Sequence, residues 1–328
     1  MNTLWIHIGL SKCGSTALQF LLMNVPLIES LKRQANIEIS DFGAYLWRKV
    51  LEECAHNGMT EEENAVEYFN RTGKLELTES TAFFKSQAEK AASSPYHQTI
   101  WSAEGISDQI LFGTGDAQDS WLSEAVGSIE QPVNIGVVMY VRRQDTYVES
   151  FYSHIVKRGY KEPFDVFFEF IKRLDLSWCR LADSLQEVPG ISEVKVIPYD
   201  GDLLQVHREM NFYEAFFDAL GHRLQIGVDF DDRKNLKNPT LAPDLLEVAS
   251  FINKSLPPQR AKEVNEVLAE SFPKSLSGTH SLLSSAQRSE FLARYAESNR
   301  QLFLKYIPWA PVEAYEQSAT PVFKASIG

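Results

Sequence analysis

The sequence predicts an α/β fold: a mostly parallel central sheet covered by helices on both faces, with a helical insertion. Three observations carry this expectation. Short apolar runs at Leu4–Ile8, His97–Ser102, Ile135–Val141 and Val194–Ile197 read as strands, and segments of helical period lie between them. The run from Ile135 to Val141 is apolar almost throughout, as befits a central strand buried on both faces. Strands that alternate with helices make a parallel sheet the expected arrangement. There is no internal repeat and no low-complexity segment.

Taken in order, Leu4-Trp5-Ile6-His7-Ile8 is the first strand, and Gly9-Leu10-Ser11-Lys12-Cys13-Gly14-Ser15-Thr16 follows as a loop. Leu18, Leu21, Leu22 and Val25 then recur at helical spacing, and Pro26 marks an end nearby. A strand, a glycine loop and a helix start make an anion site, because the first N–H groups of the helix lack helical partners and its dipole adds partial positive charge. The loop comes close to a Walker A sequence: Gly9 and Gly14 have its spacing and Thr16 its hydroxyl. Ser15, however, follows the second glycine, and the lysine has moved inside the loop to Lys12. Such a loop sets one cation and two hydroxyls around a shorter anionic group than a triphosphate; the other reading is a tight strand–helix turn with no ligand. Cys13 is either a thiol of lowered pKa or a small residue filling the loop.

Residues 26–95 are polar and mostly helical in pattern, with an amphipathic stretch at Tyr45–Leu51 and an acidic run at Glu61–Glu63 that reads as a solvated helix end. They form the expected insertion and a candidate part of an acceptor pocket. The strand at His97–Ser102 ends in Ser102-Ala103-Glu104-Gly105, which places the Glu104 carboxylate where catalytic groups of open α/β sheets tend to lie. Trp121, Leu122 and Val126 mark a covering helix.

Beyond Val141, Arg142-Arg143 caps the strand, Thr146-Tyr147-Val148-Glu149 has the form of a capping box, and Gly159 is the expected C-cap. Ser150, Ser153, His154 and Lys157 share one face of the helix between them. Arginines at a strand end, with hydroxyls and an imidazole on the next helix, suit a second phosphate. The same residues suit equally a solvated polar face. Further helices are marked by Phe164–Ile171, by Phe212–Ala219 with Gly221, by Pro243–Phe251 and by 285–306. A strand ends at Pro198-Tyr199-Asp200, Asp229–Asn238 is a charged loop, and the tail from Pro308 reads as irregular. A single α/β domain is expected over 1–307, with the tail at 308–328.

The chain has 328 residues and a net charge of −12, so any anionic ligand must be held by a local basic cluster, and nucleic acid is not an expected partner. No stretch approaches the ~20 apolar residues of a membrane span. Three widely spaced cysteines and an N-terminus without a basic leader suggest a cytoplasmic location. The sequence assigns no oligomeric state.

Together these stretches resemble the sulfotransferases that use 3'-phosphoadenosine 5'-phosphosulfate, particularly the bacterial sulfotransferase-like proteins, whose fold is P-loop NTPase-like. Lys12-Cys13-Gly14-Ser15-Thr16 is similar to the family's 5'-phosphosulfate loop, with Leu18-Gln19 following as is usual, although Cys13 stands where Thr or Ser is common. Arg142 and Ser150, eight residues apart, have the spacing of its 3'-phosphate motif, but Gln144 stands where a proline is usual. Tyr199-Asp200 looks like the region near the adenine. Asn238-Pro239-Thr240-Leu241 through Asp244 is similar to a segment of bacterial members. The arginine- and glycine-rich C-terminal phosphate loop of animal members is not evident, and Arg233, Lys234 and Lys237 are possible substitutes.

The resemblance implies metal-free, in-line transfer of a sulfuryl group to an acceptor hydroxyl, on a carbohydrate or small metabolite, with adenosine 3',5'-bisphosphate as product. It makes Lys12 the residue at the bridging oxygen and Gly14, Ser15 and Thr16 the holders of the 5'-phosphate. Glu104 is the first candidate base and His154 the second; His7, inside a strand, reads as a buried structural residue. Two rival readings stay open: a P-loop kinase or NTP hydrolase, and a non-catalytic nucleotide-binding module.

Overall fold

The structure, a computed structural model, describes residues 1–10, 12–22, 25–40, 78–104, 106–111, 115–224, 241, 243–272 and 281–316. The expected helix at 45–51, the acidic run at 61–63, Gly105, the charged loop with Arg233, Lys234 and Lys237, and Asn238–Thr240 lie outside them. The chain packs as two compact units. The first comprises Met1–Arg142, Asp175–Leu236 and Gln301–Ala310; the second comprises Arg143–Leu174, Lys237–Arg300 and Pro311–Gly328.

The first unit is built on a five-stranded, wholly parallel sheet in the order β2-β3-β1-β4-β5. The strands are β1 (Asn2–Gly9), β2 (Ile37–Ile39), β3 (Gln98–Glu104), β4 (Val133–Val141) and β5 (Ile191–Pro198). Leu4 to Leu10 and Ile135 to Val141 are buried at every position. Successive strand residues point to opposite faces, so both faces of the sheet centre are covered. The Trp5 indole lies across Gly136 of β4: a Cβ there would stand 2.4 Å from the ring. That explains a glycine within an otherwise apolar strand.

Around the sheet run α1 (Ser15–Leu22), α2 (Val25–Gln34), α3 (Thr78–Ser93), α4 (Ile106–Gln109) and α5 (Trp121–Gly127). The second unit opens with α6 (Gln144–Lys157) and α7 (Phe164–Ile171). The first unit resumes with α8 (Trp178–Gln186), α9 (Gly201–Arg208) and α10 (Phe212–Ala219). Asn211 caps α10 in a true capping box with Glu214, and Gly221 ends it at φ 86°. The remaining helices are α11 (Pro243–Ser255), α12 (Pro258–Ser271), α13 (Ser285–Ala293), α14 (Ala296–Tyr306) and α15 (Glu313–Glu316). Among the described residues no helix is long and apolar enough to cross a membrane.

The second unit is organised around α6, against which α7, α11, α12 and α13 pack. Asp145, in the first turn of α6, is fully buried and binds Arg143 through both oxygens, at 2.7 and 2.8 Å. Arg288 of α13 bonds the same carboxylate and reaches Glu149 at 3.1 Å. Gln144 and Asn299 exchange amide hydrogen bonds of 2.8 and 3.1 Å. At the other end of α6, Asn253 donates to the carbonyls of Val156 and Tyr160, each at 2.8 Å, and Asn265 donates to Asn253 at 2.8 Å. Such buried polar groups are stable only because they are paired.

Four local expectations are corrected. β2 lies within the stretch read as mostly helical, because three residues are too short to display an alternating pattern. Helix α6 begins at Gln144, not after Thr146: Thr146 sits inside the first turn, its hydroxyl donating to Arg143 O at 2.9 Å, and Glu149 is drawn to Arg288. The helix read over 285–306 is two helices, α13 and α14, and α15 interrupts the tail.

Candidate functional site

The sheet order contains one reversal of connection direction. From β1 the chain runs outward to β2, returns to β3, and then crosses β1 to reach β4 on its other side. Connections at this reversal leave in opposite directions, and the crevice beyond the carboxyl ends of the strands is the usual ligand position in open parallel sheets. The loop after β1 lies there. Glu104, the last residue of β3, is in register with Gly9, and Arg142 directly follows β4.

The loop is tightly wound. Cys13 N–H donates to Leu10 O at 3.1 Å, and the buried Ser15 hydroxyl donates to the same carbonyl at 3.4 Å. Leu18 N–H then donates to Gly14 O at 3.0 Å, the first bond of α1. Thr16 is the second residue of that helix. Lys12 has φ 69° and Gly14 φ 82°, so a non-glycine residue takes a left-handed conformation in the middle of the loop. Strain of this kind is concentrated at functional sites. Gly14 is required twice over, because a Cβ there would lie 2.7 Å from both the Tyr199 and Phe212 rings.

Arg142 closes the other side. Its Nη1 donates to Lys12 O at 3.2 Å, and its guanidinium lies 5.5 Å from the centre of the Tyr199 ring. Trp178 Nε1–H donates to Arg142 O at 2.7 Å, and Tyr199 N–H to Val141 O at 2.6 Å. Burial raises the Tyr199 pKa, with Arg142 opposing and Cys13 adding to the shift. Tyr199 and Phe212 meet edge to face at 5.4 Å, and Tyr140 donates to Phe212 O at 2.6 Å. The Arg142 guanidinium and an aromatic pair therefore lie against the loop that opens α1. This arrangement can hold an anion carrying a flat ring.

The structure separates two arginines that are adjacent in sequence. Arg143 is spent on the buried Asp145, whereas half-buried Arg142 meets the loop backbone. Ser150 and His154 are half-buried on α6 in the second unit. Ser153, on the same face, is buried, so that face is not simply solvated. Burial lowers the Lys157 pKa.

His7 is fully buried in β1, and burial holds its pKa down to about 3. Its Nδ1 lies 2.8 Å from Ser102 Oγ. An imidazole held neutral by burial in this way is no base near neutral pH. The sequence reading missed the ring contacts of Phe212 and the hydrogen bond of Trp178. Phe212 at a helix start and Trp178 after Ser177 look like any core aromatics, so the sequence held no signal for them.

No family model matches the chain. An uncharacterized protein of Archaeoglobus fulgidus is 31% identical over 176 residues, which is 52% of this chain and 45% of the relative. The chain thus matches less than half of that relative's length.

Proposed function

We propose that the chain is a sulfotransferase that moves a sulfuryl group from 3'-phosphoadenosine 5'-phosphosulfate to a hydroxyl of a carbohydrate or small metabolite. The reading places the chain in the P-loop-like sulfotransferase fold. One observation carries it: the strained Lys12–Gly14 loop at the end of β1 is faced by Arg142 at the end of β4, with the Tyr199 ring beside both. Two phosphate positions and a ring position are what a 3',5'-bisphosphorylated adenosine needs. In support of such a donor, the missing Cβ at Gly14 lets the Tyr199 and Phe212 rings close against the loop.

In this reading Lys12 neutralises the charge that develops on the bridging oxygen as the S–O bond to the phosphate breaks. The N–H groups of Gly14, Ser15 and Thr16 hold the 5'-phosphate; the N–H of Cys13 and the hydroxyl of Ser15 are used within the loop and serve its shape. Arg142 serves the 3'-phosphate and Tyr199 the adenine. Glu104, at the carboxyl end of β3, accepts the acceptor proton as the new S–O bond forms.

The assay is release of adenosine 3',5'-bisphosphate from the donor across a panel of hydroxyl acceptors. Glu104→Gln is expected to slow turnover by roughly 10²–10⁴ with bisphosphate affinity unchanged. Near-normal turnover in that variant would remove Glu104 from the reaction.

A further inference from the structure

We propose that His7, Ser102 and Gln19 form a positioning relay beneath the anion loop, fixing the start of α1 relative to the sheet and to α10. The proposal rests on the loop being the binding site and adds residues that do not touch the ligand.

The geometry starts with register. His7 of β1 is paired with Ser102 of β3, so the two side chains emerge on one face of the sheet. Gln19 of α1 covers that face, and its Nε2 donates to Ser102 Oγ at 3.3 Å. In the proposed relay that oxygen accepts from Gln19 and gives its own proton to His7 Nδ1, 2.8 Å away. The imidazole proton is then on Nε2. That nitrogen is buried without a hydrogen-bond partner. Its ring meets Phe216 of α10 edge to face, with centroids 5.7 Å apart, and Tyr140 of β4 in the same way at 6.2 Å.

The relay thus links α1 on one side to α10 on the other. These two helices also flank the loop. Gly14 immediately precedes Ser15 at the start of α1, and the ring it touches, Phe212, is the first residue of α10. A shift of α1 along the sheet would move Gly14 against Phe212 and Tyr199. An apolar residue at position 7 could fill the same space but could not fix the register of α1. Burial, which holds the His7 pKa down to about 3, supports this role by keeping the imidazole a neutral acceptor near neutral pH.

The test is amide hydrogen exchange on the ligand-free protein, in wild type, Gln19→Leu and Ser102→Ala. Gln19 is only half-buried, and leucine keeps helix propensity, so the first variant folds even if the second does not. The reporter is Leu18 N–H, bonded to Gly14 O; the reference is Ser128 N–H, bonded to Glu124 O at the end of α5. Exchange at Leu18 is expected to rise roughly fivefold or more beyond any change at Ser128, about the effect of one lost hydrogen bond. Equal changes at both amides would overturn the relay. Imidazole ¹⁵N shifts are expected to place the His7 proton on Nε2; a proton on Nδ1 would also overturn it. Adenosine 3',5'-bisphosphate titrations of the same variants separate the two claims. Wild type that ignores the bisphosphate refutes the ligand assignment and leaves the exchange result to decide the relay. Wild type and Gln19→Leu that bind it equally well refute the relay alone.

Discussion

Gly14 concentrates the chemistry of the loop in one residue. Alanine there must adopt φ 82° and push its Cβ between two aromatic rings 2.7 Å away. The two penalties together are expected to cost about 2–4 kcal/mol, read from denaturant unfolding. An unchanged midpoint would mean that the rings do not press on the loop. His7 makes a pH prediction. Its folded pKa, about 3, lies below the ordinary 6.5, so the unfolded chain binds the proton more readily. The stability it contributes is complete above pH 6.5 and is lost as the pH falls towards 3, at up to about 1.4 kcal/mol per pH unit. His7→Gln is expected to flatten that part of the stability profile between pH 4.5 and 6.5; an unaltered slope would assign the acid sensitivity elsewhere. At this scale the sequence discloses residue types but not their assignments. Lys12, Gly14 and Arg142 are legible from spacing, because a glycine loop between a strand and a helix leaves N–H groups that an anion can satisfy. Arg143 looks as suitable as Arg142, and only the buried Asp145 distinguishes them.

Among the elements, α6 is held by buried polar groups near both ends. Asp145 and Arg288 tie its first turn to α13, and Asn253 donates to Val156 O in its last turn and to Tyr160 O just beyond it. Asp145→Asn leaves two guanidinium groups facing a neutral amide in the interior and is expected to destabilise by about 3–5 kcal/mol. Arg288→Met leaves Asp145 its two bonds from Arg143 and is expected to cost less than half as much. Chemical unfolding of the two variants side by side checks the ranking, and the reverse order would contradict it. The helix itself is legible from its apolar period and Gly159. Its starting point is not, because Thr146–Glu149 has the letters of a capping box while Glu149 serves an arginine far along the chain. Local patterns cannot report such a partner. For the same reason Ile37–Ile39 is hidden, since its strand character comes only from pairing with β3.

For the whole molecule, the parallel sheet follows from a few strong signals: apolar runs at β1, β4 and β5, each followed by helical periodicity. The strand order does not follow from sequence, and it is the order that brings the ends of β1, β3 and β4 to one crevice. In a chain of net charge −12 the proposed donor needs a local basic cluster, and in the sulfotransferase reading Lys12 and Arg142 supply it. The most direct test is thermal unfolding with adenosine 3',5'-bisphosphate, or with ATP and Mg²⁺, for wild type, Lys12→Ala and Arg142→Ala. At about 100 times its dissociation constant the bisphosphate is expected to add roughly 2.7 kcal/mol of apparent stability to wild type alone. Stabilisation by ATP and Mg²⁺ instead, or a bisphosphate response indifferent to Arg142, would contradict the sulfotransferase reading and favour a kinase or NTP hydrolase.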